Sequence, residues 1–386
     1  MSQGELNKTF VTIVNTAVFL QGSGKLKEAI ELYEQALRIM PSHAVVLSNY
    51  GNALRRVGRH ADALSNQRNA VKLDPRNSRL LANLALAERA AGKPFRNTLF
   101  QILNESLAEI DTKMWAAMTL GQPERAFAFK HSDLSILDYA EFPALYQQAD
   151  LRVRIQTLLP AMGGSIPHDD RRPLVYAAMD GEYAAIFAYD LVSSALNKSL
   201  ECSVHLHLMN PGSFSLSGFP GDRVTCSTES MPADKTLYST RRFIRLAQVI
   251  AGGNGERHVV ALDGDSVLNQ DIFAALPPQF DVLIYDRPDE TCLQQMISAA
   301  FIAVTPAGRA FVNFLAAYLL RFEENGNTKW YADQLAMIAA RAWFQKNVPY
   351  IDIGAVPPHF MDWSADLNPQ SVIWTAKGKN KSRIAH

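Results

Sequence analysis

The sequence predicts a chain of two parts, an N-terminal α-helical repeat region followed by an α/β domain with a mainly parallel sheet. A spacing of 34 residues recurs in the first third of the chain and predicts paired helices. Farther on, apolar segments rich in β-branched residues alternate with helical segments, which predicts the α/β domain. A stretch rich in glycine, proline and charge separates the two patterns at residues 160–173. We therefore expect a repeat domain over residues 1–165 and an α/β domain over residues 166–386.

Composition limits the classes of partner. The chain has 386 residues, of which 48% are hydrophobic and 20% charged, and this is typical of a globular protein with room for two domains. Lysine plus arginine and aspartate plus glutamate are equal at 38 each, so no net charge attracts nucleic acid or an anionic membrane. Any anion site must therefore be local.

The N-terminus and the cysteines indicate the cellular compartment of the protein. The segment MSQGELNKTFVTIV lacks the basic start, apolar run and cleavage site of an export signal. The chain has three cysteines, which are few, odd in number and without metal-ligand spacing: Cys202, Cys226 and Cys292. A reducing compartment, the cytoplasm, fits this usage better than a disulfide framework does.

The most apolar segment, residues 299–320, differs in pattern from a membrane span. Pro306, Arg309 and Asn313 interrupt it, and its periodicity favours a buried strand followed by a core helix. We expect no transmembrane helix.

The repeat region has a recognisable period. Gly24, Ala29, Ala36 and Pro41 recur 34 residues later as Gly58, Ala63, Ala70 and Pro75. This pattern resembles the tetratricopeptide repeat, in which a glycine turn joins two helices and small residues let those helices approach closely. A third unit starts near Ser78 and places Gly92 one period on, with its second helix predicted over residues 95–110. Residues 113–159 remain helical in pattern and contain a decayed further repeat.

Four segments of the second part predict strands: PLVYAAM (173–179), CSVHLHLM (202–209), RHVVALD (257–263) and FDVLIYD (280–286). Helical patterns over residues 183–196 and 239–251 fall between them. Because open α/β sheets bind ligands at the carboxyl ends of their strands, Asp180 and the pair Asp263 and Asp265 would lie at a ligand-binding edge. His205 and His207 alternate within one strand, and we interpret them as part of the scaffold because no third metal ligand lies nearby in sequence.

The segment HVVALDGDSVL ends an apolar run on two carboxylates, Asp263 and Asp265, with Gly264 between them. Carboxylate oxygens are the ligands that Mg²⁺ and Mn²⁺ prefer, and such a cation neutralises a departing diphosphate. Gly264 would leave room for that diphosphate. The competing interpretation is an ordinary Asp-Gly turn after a strand, and the triplet alone does not decide between them.

The neighbouring segments favour the metal site, because their order resembles the nucleotide-diphospho-sugar transferases of GT-A fold, in particular the glycogenin-like and galactosyltransferase-type branch. The resemblance covers about residues 173–381 and rests on MDGEYAAIFAYDLVSSALNKS, LYSTRRFIRLAQVI, ALDGDSVL, FDVLIYDRPDE, SAAFIAVTPAGRAFVNFLAAYL, WYADQLAM and VIWTAKGKNK. It implies a metal-dependent transferase that uses Mn²⁺ or Mg²⁺ and a nucleoside-diphosphate sugar, with a UDP-sugar favoured.

The resemblance also implies roles for single residues. Asp180 and Tyr183 would meet the nucleotide base, and Asp263 and Asp265 would take the nucleotide and metal positions. Arg241 and Arg242 are adjacent on the helix that precedes the acidic motif, so only one of the two side chains can face the site. We assign a contact with the phosphate or the sugar to Arg241 rather than Arg242. Asp333 and Gln334 would orient the donor and acceptor hydroxyls. The basic residues Lys377 and Lys379, with Lys381, would reach the diphosphate.

Two departures from the family's pattern keep other functions open. VIWTAKGKNK lacks the histidine that family members often contribute to the metal, and residues 298–301 lack the asparagine that many relatives place beside the donor sugar. The first alternative is therefore a non-catalytic repeat adaptor whose degenerate transferase domain binds nucleotide sugar or a partner protein. The second is a metal-dependent nucleotide or phosphate hydrolase, which would need more carboxylates or histidines close by. The repeats would present a protein or peptide acceptor, or form a homodimer.

Overall fold

The computed structural model describes residues 3–129, 139–147, 150–166, 171–252, 257–287, 299–326, 331–357, 359–362 and 370–375. These residues form two compact units, the first ending with residue 129 and the second starting with residue 139. The boundary predicted at residue 165 therefore falls inside unit 2. Helical periodicity correctly predicted the helices that come before residue 165, but such a pattern does not reveal the unit against which a helix packs.

Unit 1 consists of consecutive helices: α1 (Gln3–Gly22), α2 (Leu26–Ile39), α3 (Ala44–Arg56), α4 (His60–Leu73), α5 (Ser78–Ala90), α6 (Arg96–Asn104), α7 (Ile110–Thr119) and α8 (Pro123–Ala128). Gly24, Gly58 and Gly92 lie in the turns within three successive helix pairs, with φ of 80°, 83° and 65°, a region that glycine adopts without strain. Ala29 and Ala63 are fully buried, as the predicted close approach of paired helices requires.

The third and fourth helix pairs differ from the first two. Helix α6 ends at Asn104 rather than at residue 110, because Glu105 leaves the helical region and its carboxylate accepts hydrogen bonds from the Leu107 amide and the Arg76 guanidinium. Helices α7 and α8 form a fourth pair whose turn contains Gly121 at φ 73°. The decayed further repeat predicted from sequence is therefore present as helical structure.

Unit 2 is an α/β structure. Its helices are a short 3-10 turn (Tyr139–Glu141), α9 (Phe142–Tyr146), α10 (Leu151–Leu158), α11 (Gly181–Lys198), α12 (Lys235–Gly252), α13 (Pro306–Glu324) and α14 (Ala332–Asn347). Its strands are β1 (Gly163–Gly164), β2 (Leu174–Asp180), β3 (Ser203–Met209), β4 (Val224–Glu229), β5 (His258–Leu262), β6 (Ser266–Leu268), β7 (Val282–Ile284), β8 (Ala300–Ala303), β9 (Ile353–Ala355), β10 (Met361–Asp362) and β11 (Ile373–Thr375). The four predicted strands correspond to β2, β3, β5 and β7.

The main sheet has the order β1-β4-β3-β2-β5-β8-β7-β9. Strands β4, β3, β2 and β5 run parallel, β8 is antiparallel to both of its neighbours, and β7 and β9 run parallel again. All parallel strands therefore end at one edge. A small second sheet joins β10, β11 and β6.

Helices cover both faces of the main sheet. Val175 and its alternate neighbours pack with the apolar face of α11, whereas Tyr176 lies on the opposite face, where its hydroxyl donates to the Arg242 carbonyl of α12. Helix α9 joins that second layer, since Phe142 is fully buried with its ring edge against Phe314 and Tyr318 of α13. This packing places α9 in unit 2.

Two of the cysteines lie within the described residues. Cys202 is buried and Cys226 half-buried, both as free thiols, and Cys292 lies outside the described residues. Within the described ranges, no helix combines the length and the apolar character that crossing a bilayer requires.

Candidate functional site

Polar side chains gather at the edge of the main sheet where its parallel strands end. Asp180 is the last residue of β2, and Asp263 and Asp265 follow β5, which pairs directly with β2. Helix α12 brings Arg242 to this edge and α14 brings Asp333, so residues far apart in sequence meet here. We call the set Asp180, Tyr183, Arg242, Asp263, Asp265 and Asp333 the acidic-motif cluster.

Asp180 marks the transition from strand β2 to helix α11. Its Oδ1 accepts the backbone N–H of Tyr183 at 2.7 Å and thereby caps the first turn of the helix. Gly181 follows because a side chain there would lie 2.5 Å from the Pro211 carbonyl oxygen and 2.6 Å from that of Asn210. The cap fixes the position of Tyr183 relative to the strand ends.

Tyr183 joins the first strand end to the acidic motif. Its hydroxyl donates to Asp265 Oδ2 at 2.7 Å, and Asp265 is only 3% exposed. Burial, followed by the charge of Asp265 and the hydrogen bond to it, raises the pKa of the Tyr183 phenol, so this hydroxyl remains a donor. A Cβ at position 264 would lie 2.9 Å from Met179 Cε, the end of a flexible side chain, so Gly264 packs closely against Met179 but is not strictly required there.

Arg242 bridges two carboxylates. One guanidinium nitrogen pairs with Asp263 Oδ1, and Nη2 donates to Asp333 Oδ2 at 3.0 Å. Asp333 lies in the first turn of α14 and is buried, and burial raises its pKa to about 6, although the charge of Arg242 acts in the opposite direction. Gln334 follows it and is half-buried, with its backbone N–H donating to Asp333 Oδ1 at 2.9 Å.

Arg241 lies elsewhere. Its guanidinium pairs with Glu229 at 2.9 Å and with Glu323 at 2.7 Å, and among the described residues it makes no contact with Asp263, Asp265 or Asp333. The sequence assigned a contact with phosphate or sugar to Arg241, but of the two arginines it is Arg242 that lies at the acidic motif. The two side chains diverge because adjacent helical residues point about 100° apart.

Arg241 belongs to a second polar group, which we call the Glu229 cluster: Glu229, Glu323, Arg241, Arg245, His205 and His207. Arg245 is 1% exposed and pairs with the same carboxylate oxygen of Glu229 that Arg241 contacts. Burial favours the protonated form of Glu229, but hydrogen bonds from His207 and Arg245 and the charges of both arginines lower its pKa to about 2.

The two histidines of this cluster form an ordered hydrogen-bond chain. Because ionised Glu229 only accepts, His207 Nε2 donates to it at 3.2 Å and His207 Nδ1 accepts from Ser227 Oγ at 2.9 Å. Ser227 Oγ then accepts from His205 Nε2 at 2.9 Å, and His205 Nδ1 accepts from Thr225 Oγ1 at 2.8 Å. Burial lowers the pKa of His205 to about 3 and also lowers the pKa of His207, so both rings are neutral.

The C-terminal strand lies beside the acidic motif. Strand β11 pairs with β6, which places Thr375 opposite Ser266, and their hydroxyl oxygens are 3.0 Å apart. Trp374 is buried against Phe187, with Tyr183 and Val267 at the margin. Lys377, Lys379 and Lys381 lie outside the described residues.

The carboxylates at this edge form a small donor set for a divalent cation. Among the described residues, no group of three or more histidine, cysteine, aspartate or glutamate side chains is arranged to hold a metal. Asp265, with Asp263 two residues before it, fits a site in which one or two carboxylates bind the ion and substrate phosphates and waters complete its coordination. Since Arg242 already pairs with Asp263, Asp265 is the stronger candidate ligand.

Sequence reasoning did not identify Arg242, Met179 or the Glu229 cluster. A signal for the arginines was present, because RRFIRLAQVI places three of them within five positions of an otherwise apolar helix, and all three are buried. Buried arginines must be paired, so such a segment indicates acidic partners nearby. Which acid each arginine meets depends on the strand that lies opposite.

Comparisons with known proteins describe the N-terminal region best. Residues 8–76 match the family model described as tetratricopeptide repeat, and no curated protein matches the chain. A solved Sgt2 TPR domain from Aspergillus fumigatus is 24% identical over 29% of this chain and 76% of its own, with a TM-score of 0.27. A mutant O-GlcNAc transferase from Thermobaculum terrenum is 19% identical over 64% of this chain and 45% of its own, with a TM-score of 0.33. The chain therefore carries tetratricopeptide repeats at its N-terminus.

Proposed function

We propose that unit 2 is a metal-dependent glycosyltransferase domain that transfers a sugar from a nucleoside-diphosphate sugar, and that the repeats bind a protein or peptide acceptor. The observation that carries the proposal is the charge of the acidic-motif cluster. Four carboxylates meet there: Arg242 pairs with Asp263 and Asp333, and the charges of Asp180, Asp263 and Asp265 act on Tyr183. Carboxylates gathered at the carboxyl edge of a parallel sheet favour a bound cation.

Each residue of the cluster has a role in this proposal. Asp265 would hold Mn²⁺ or Mg²⁺ with help from Asp263, and the ion would supply Lewis-acid stabilisation of the departing diphosphate. Tyr183 holds Asp265 in place through its hydroxyl, and Arg242 fixes Asp263 and Asp333 relative to each other. Asp333, with Gln334, would then accept hydrogen bonds from donor and acceptor hydroxyls, and Asp180 and Tyr183 would lie beside the nucleotide base.

The C-terminal lysines complete the proposed donor site. Thr375 pairs with Ser266, which directly follows Asp265, and Lys377 and Lys379 come two and four residues later in the sequence. Lysines at this point of the chain would add positive charge beside a bound diphosphate. A UDP-sugar remains the favoured donor.

The alternative function is a repeat adaptor whose unit 2 binds nucleotide sugar without turnover. The small donor set favours it, since two carboxylates of the acidic motif, one of them paired with Arg242, are the metal ligands that the described residues offer. Binding and turnover measurements separate the two functions.

The test is isothermal titration with UDP-glucose, UDP-N-acetylglucosamine and GDP-mannose, each with and without Mn²⁺. We expect at least one of them to bind only with the metal, and Asp265→Asn to weaken that binding about 10- to 100-fold while the melting temperature stays nearly unchanged. Asp222→Asn is the matched control, because Asp222 is 75% exposed and lies outside the cluster. If none of the three binds in the presence of Mn²⁺, the transferase proposal is wrong. If binding occurs without hydrolysis or transfer, the adaptor is favoured.

A further inference from the structure

A cavity in unit 2 lies at the edge of the main sheet that strand β1 forms. It has a volume of about 760 Å³ and is lined by helix α10, by β1 and the residues beside it, by the C-terminal half of α12 and by Asn313 of α13. No member of the acidic-motif cluster is among its described lining residues. Sites for small molecules in proteins have volumes of about 300 to 1,000 Å³, so this cavity is large enough for such a ligand.

The walls of the cavity are largely apolar. Leu151 and Ile155 of α10 and Ala247 of α12 are buried, and Met162 and Ile166 are half-buried. A methylene chain placed against these side chains would leave water, and the removal of apolar surface from water stabilises a complex. An aliphatic body therefore suits this cavity.

Gln248 brings a hydrogen-bond donor of fixed orientation to the cavity. Its Oε1 accepts from Arg245 Nη1 at 2.6 Å, and because a guanidinium only donates, the amide cannot be turned around. Its Nε2 makes no hydrogen bond within the part of the chain that the structure describes. Gln248 is half-buried and lines the cavity, so its N–H groups are free to donate to a ligand there.

Arg152 gives the cavity a positive charge. It is exposed on α10 and pairs with no carboxylate among the described residues, whereas Arg154 on the same helix pairs with Glu324. The other cation of the lining is Arg245, whose charge is offset by Glu229. Since the described lining includes no aspartate or glutamate, the charge of Arg152 is not neutralised within the cavity.

Asn313 adds a further amide to the lining. It is the one exposed side chain in residues 311–320 of α13, and the other nine residues of that run are buried. No hydrogen bond of its side chain occurs in the described ranges. The position at which the sequence interrupts its most apolar segment therefore lies at this cavity.

We propose that this cavity binds an aliphatic carboxylate, with the carboxylate on Arg152 and the Gln248 amide and the methylene chain along Ile155, Met162 and Ile166. A guanidinium and N–H donors match carboxylate oxygens, and a lining without acidic side chains does not suit an amine or a metal ion. The apolar walls favour a ligand with a hydrocarbon body over a small inorganic anion. The proposal concerns this cavity alone and does not depend on transferase activity.

The test is isothermal titration of the full chain with decanoate, and with decanol and acetate as probes of the two halves of the ligand. We expect decanoate to bind about tenfold more tightly than decanol, which lacks the charge, and acetate to give no measurable binding. Arg152→Gln should weaken decanoate binding about tenfold and leave decanol binding unchanged. The matched control is Arg171→Gln, which removes the same charge from an exposed arginine of unit 2 outside the lining and should bind decanoate as the wild type does.

A second variant, Gln248→Glu, tests the oriented donor. It keeps an oxygen for Arg245 and replaces the N–H donors by a carboxylate oxygen, so we expect decanoate affinity to fall about tenfold or more with the melting temperature retained. Any of four results would overturn the proposal. They are no measurable decanoate binding, an equal loss of affinity in Arg171→Gln, unchanged affinity in Gln248→Glu, and decanol binding as tight as that of decanoate.

Discussion

Helix α12 carries two polar clusters with different charge balances. In the Glu229 cluster, two carboxylates face two guanidinium groups and the two histidines are neutral, so the charges cancel. In the acidic-motif cluster, Arg242 pairs with Asp263 and Asp333, and the carboxylates of Asp180 and Asp265 lie near Tyr183, so the described contacts bring four carboxylates together with one guanidinium. The side chains of Arg241 and Arg242 start one residue apart and end in different clusters.

This difference in charge balance indicates a structural role for the Glu229 cluster and supports the proposed binding role of the acidic-motif cluster. A charge-balanced cluster can be buried without a ligand, because each charge has its partner inside the fold. Carboxylates in excess of cations repel one another and leave room for a bound cation to stabilise them. One buried acid of each cluster differs in its pKa. Hydrogen bonds and nearby charges lower the pKa of Glu229 to about 2 against the effect of burial, whereas burial raises the pKa of Asp333 to about 6.

Removing one arginine from each cluster should give the largest effects. Arg245→Gln takes away a buried charge partner of Glu229, and we expect a loss of about 3 to 5 kcal/mol in unfolding free energy with donor binding retained below the melting transition. Arg242→Gln should cost less stability, since Asp333 can take up a proton, but should weaken metal-dependent donor binding about 10- to 100-fold. Chemical denaturation and calorimetric titration measure the two quantities. Equal loss of donor affinity in both variants would contradict the division of roles.

The pH dependence of stability should have opposite signs in the two clusters. Burial raises the folded-state pKa of Asp333 from 3.8 to about 6, so its favourable contribution is present below pH 3.8 and is lost as the pH rises through 6. Hydrogen bonds and charges lower the pKa of Glu229 from 4.5 to about 2, so its contribution is present above pH 4.5 and is lost as the pH falls through 2.

Melting temperatures of two isosteric variants check this in metal-free buffer. Asp333→Asn should gain stability relative to the wild type between pH 4 and pH 7, by an amount on the order of 2 kcal/mol. The deficit of Glu229→Gln should shrink as the pH falls from 4.5 toward 2. A pH-independent difference for either variant would show that its carboxyl group is not perturbed as described.

The smallest effect should come from Tyr183→Phe. The substitution removes the hydroxyl that donates to Asp265 and keeps the ring, so we expect a loss of about 1 kcal/mol in unfolding free energy and a severalfold weaker donor affinity. Tyr189→Phe is the control on the same helix, because Tyr189 is 69% exposed. Indistinguishable donor affinities for the two variants would remove Tyr183 from the proposed site.

Much of the fold could be predicted from the chain itself. The period linking Gly24, Gly58 and Gly92 predicted turns that need a left-handed backbone, and all three glycines have positive φ. Apolar runs with β-branched residues predicted the strands β2, β3, β5 and β7, because such runs suit a sheet buried on both faces. The predicted end of the third repeat was wrong by about six residues, since a local side-chain contact of Glu105 ended α6.

The sequence by itself determined the local features of this protein: the repeat period, the order of strands and helices, and an acidic pair directly after a strand. These depend on interactions between residues close together in the chain. Only the tertiary structure decided that Arg242 rather than Arg241 meets Asp263, that α9 and α10 belong to unit 2, and that Asp333 is buried. The physical reason is that these outcomes depend on which strand or helix lies opposite a given side chain, and that is settled by packing between distant segments. Asp263 and Asp265 could be identified from the sequence as a candidate site, whereas the balance of charge around them could not.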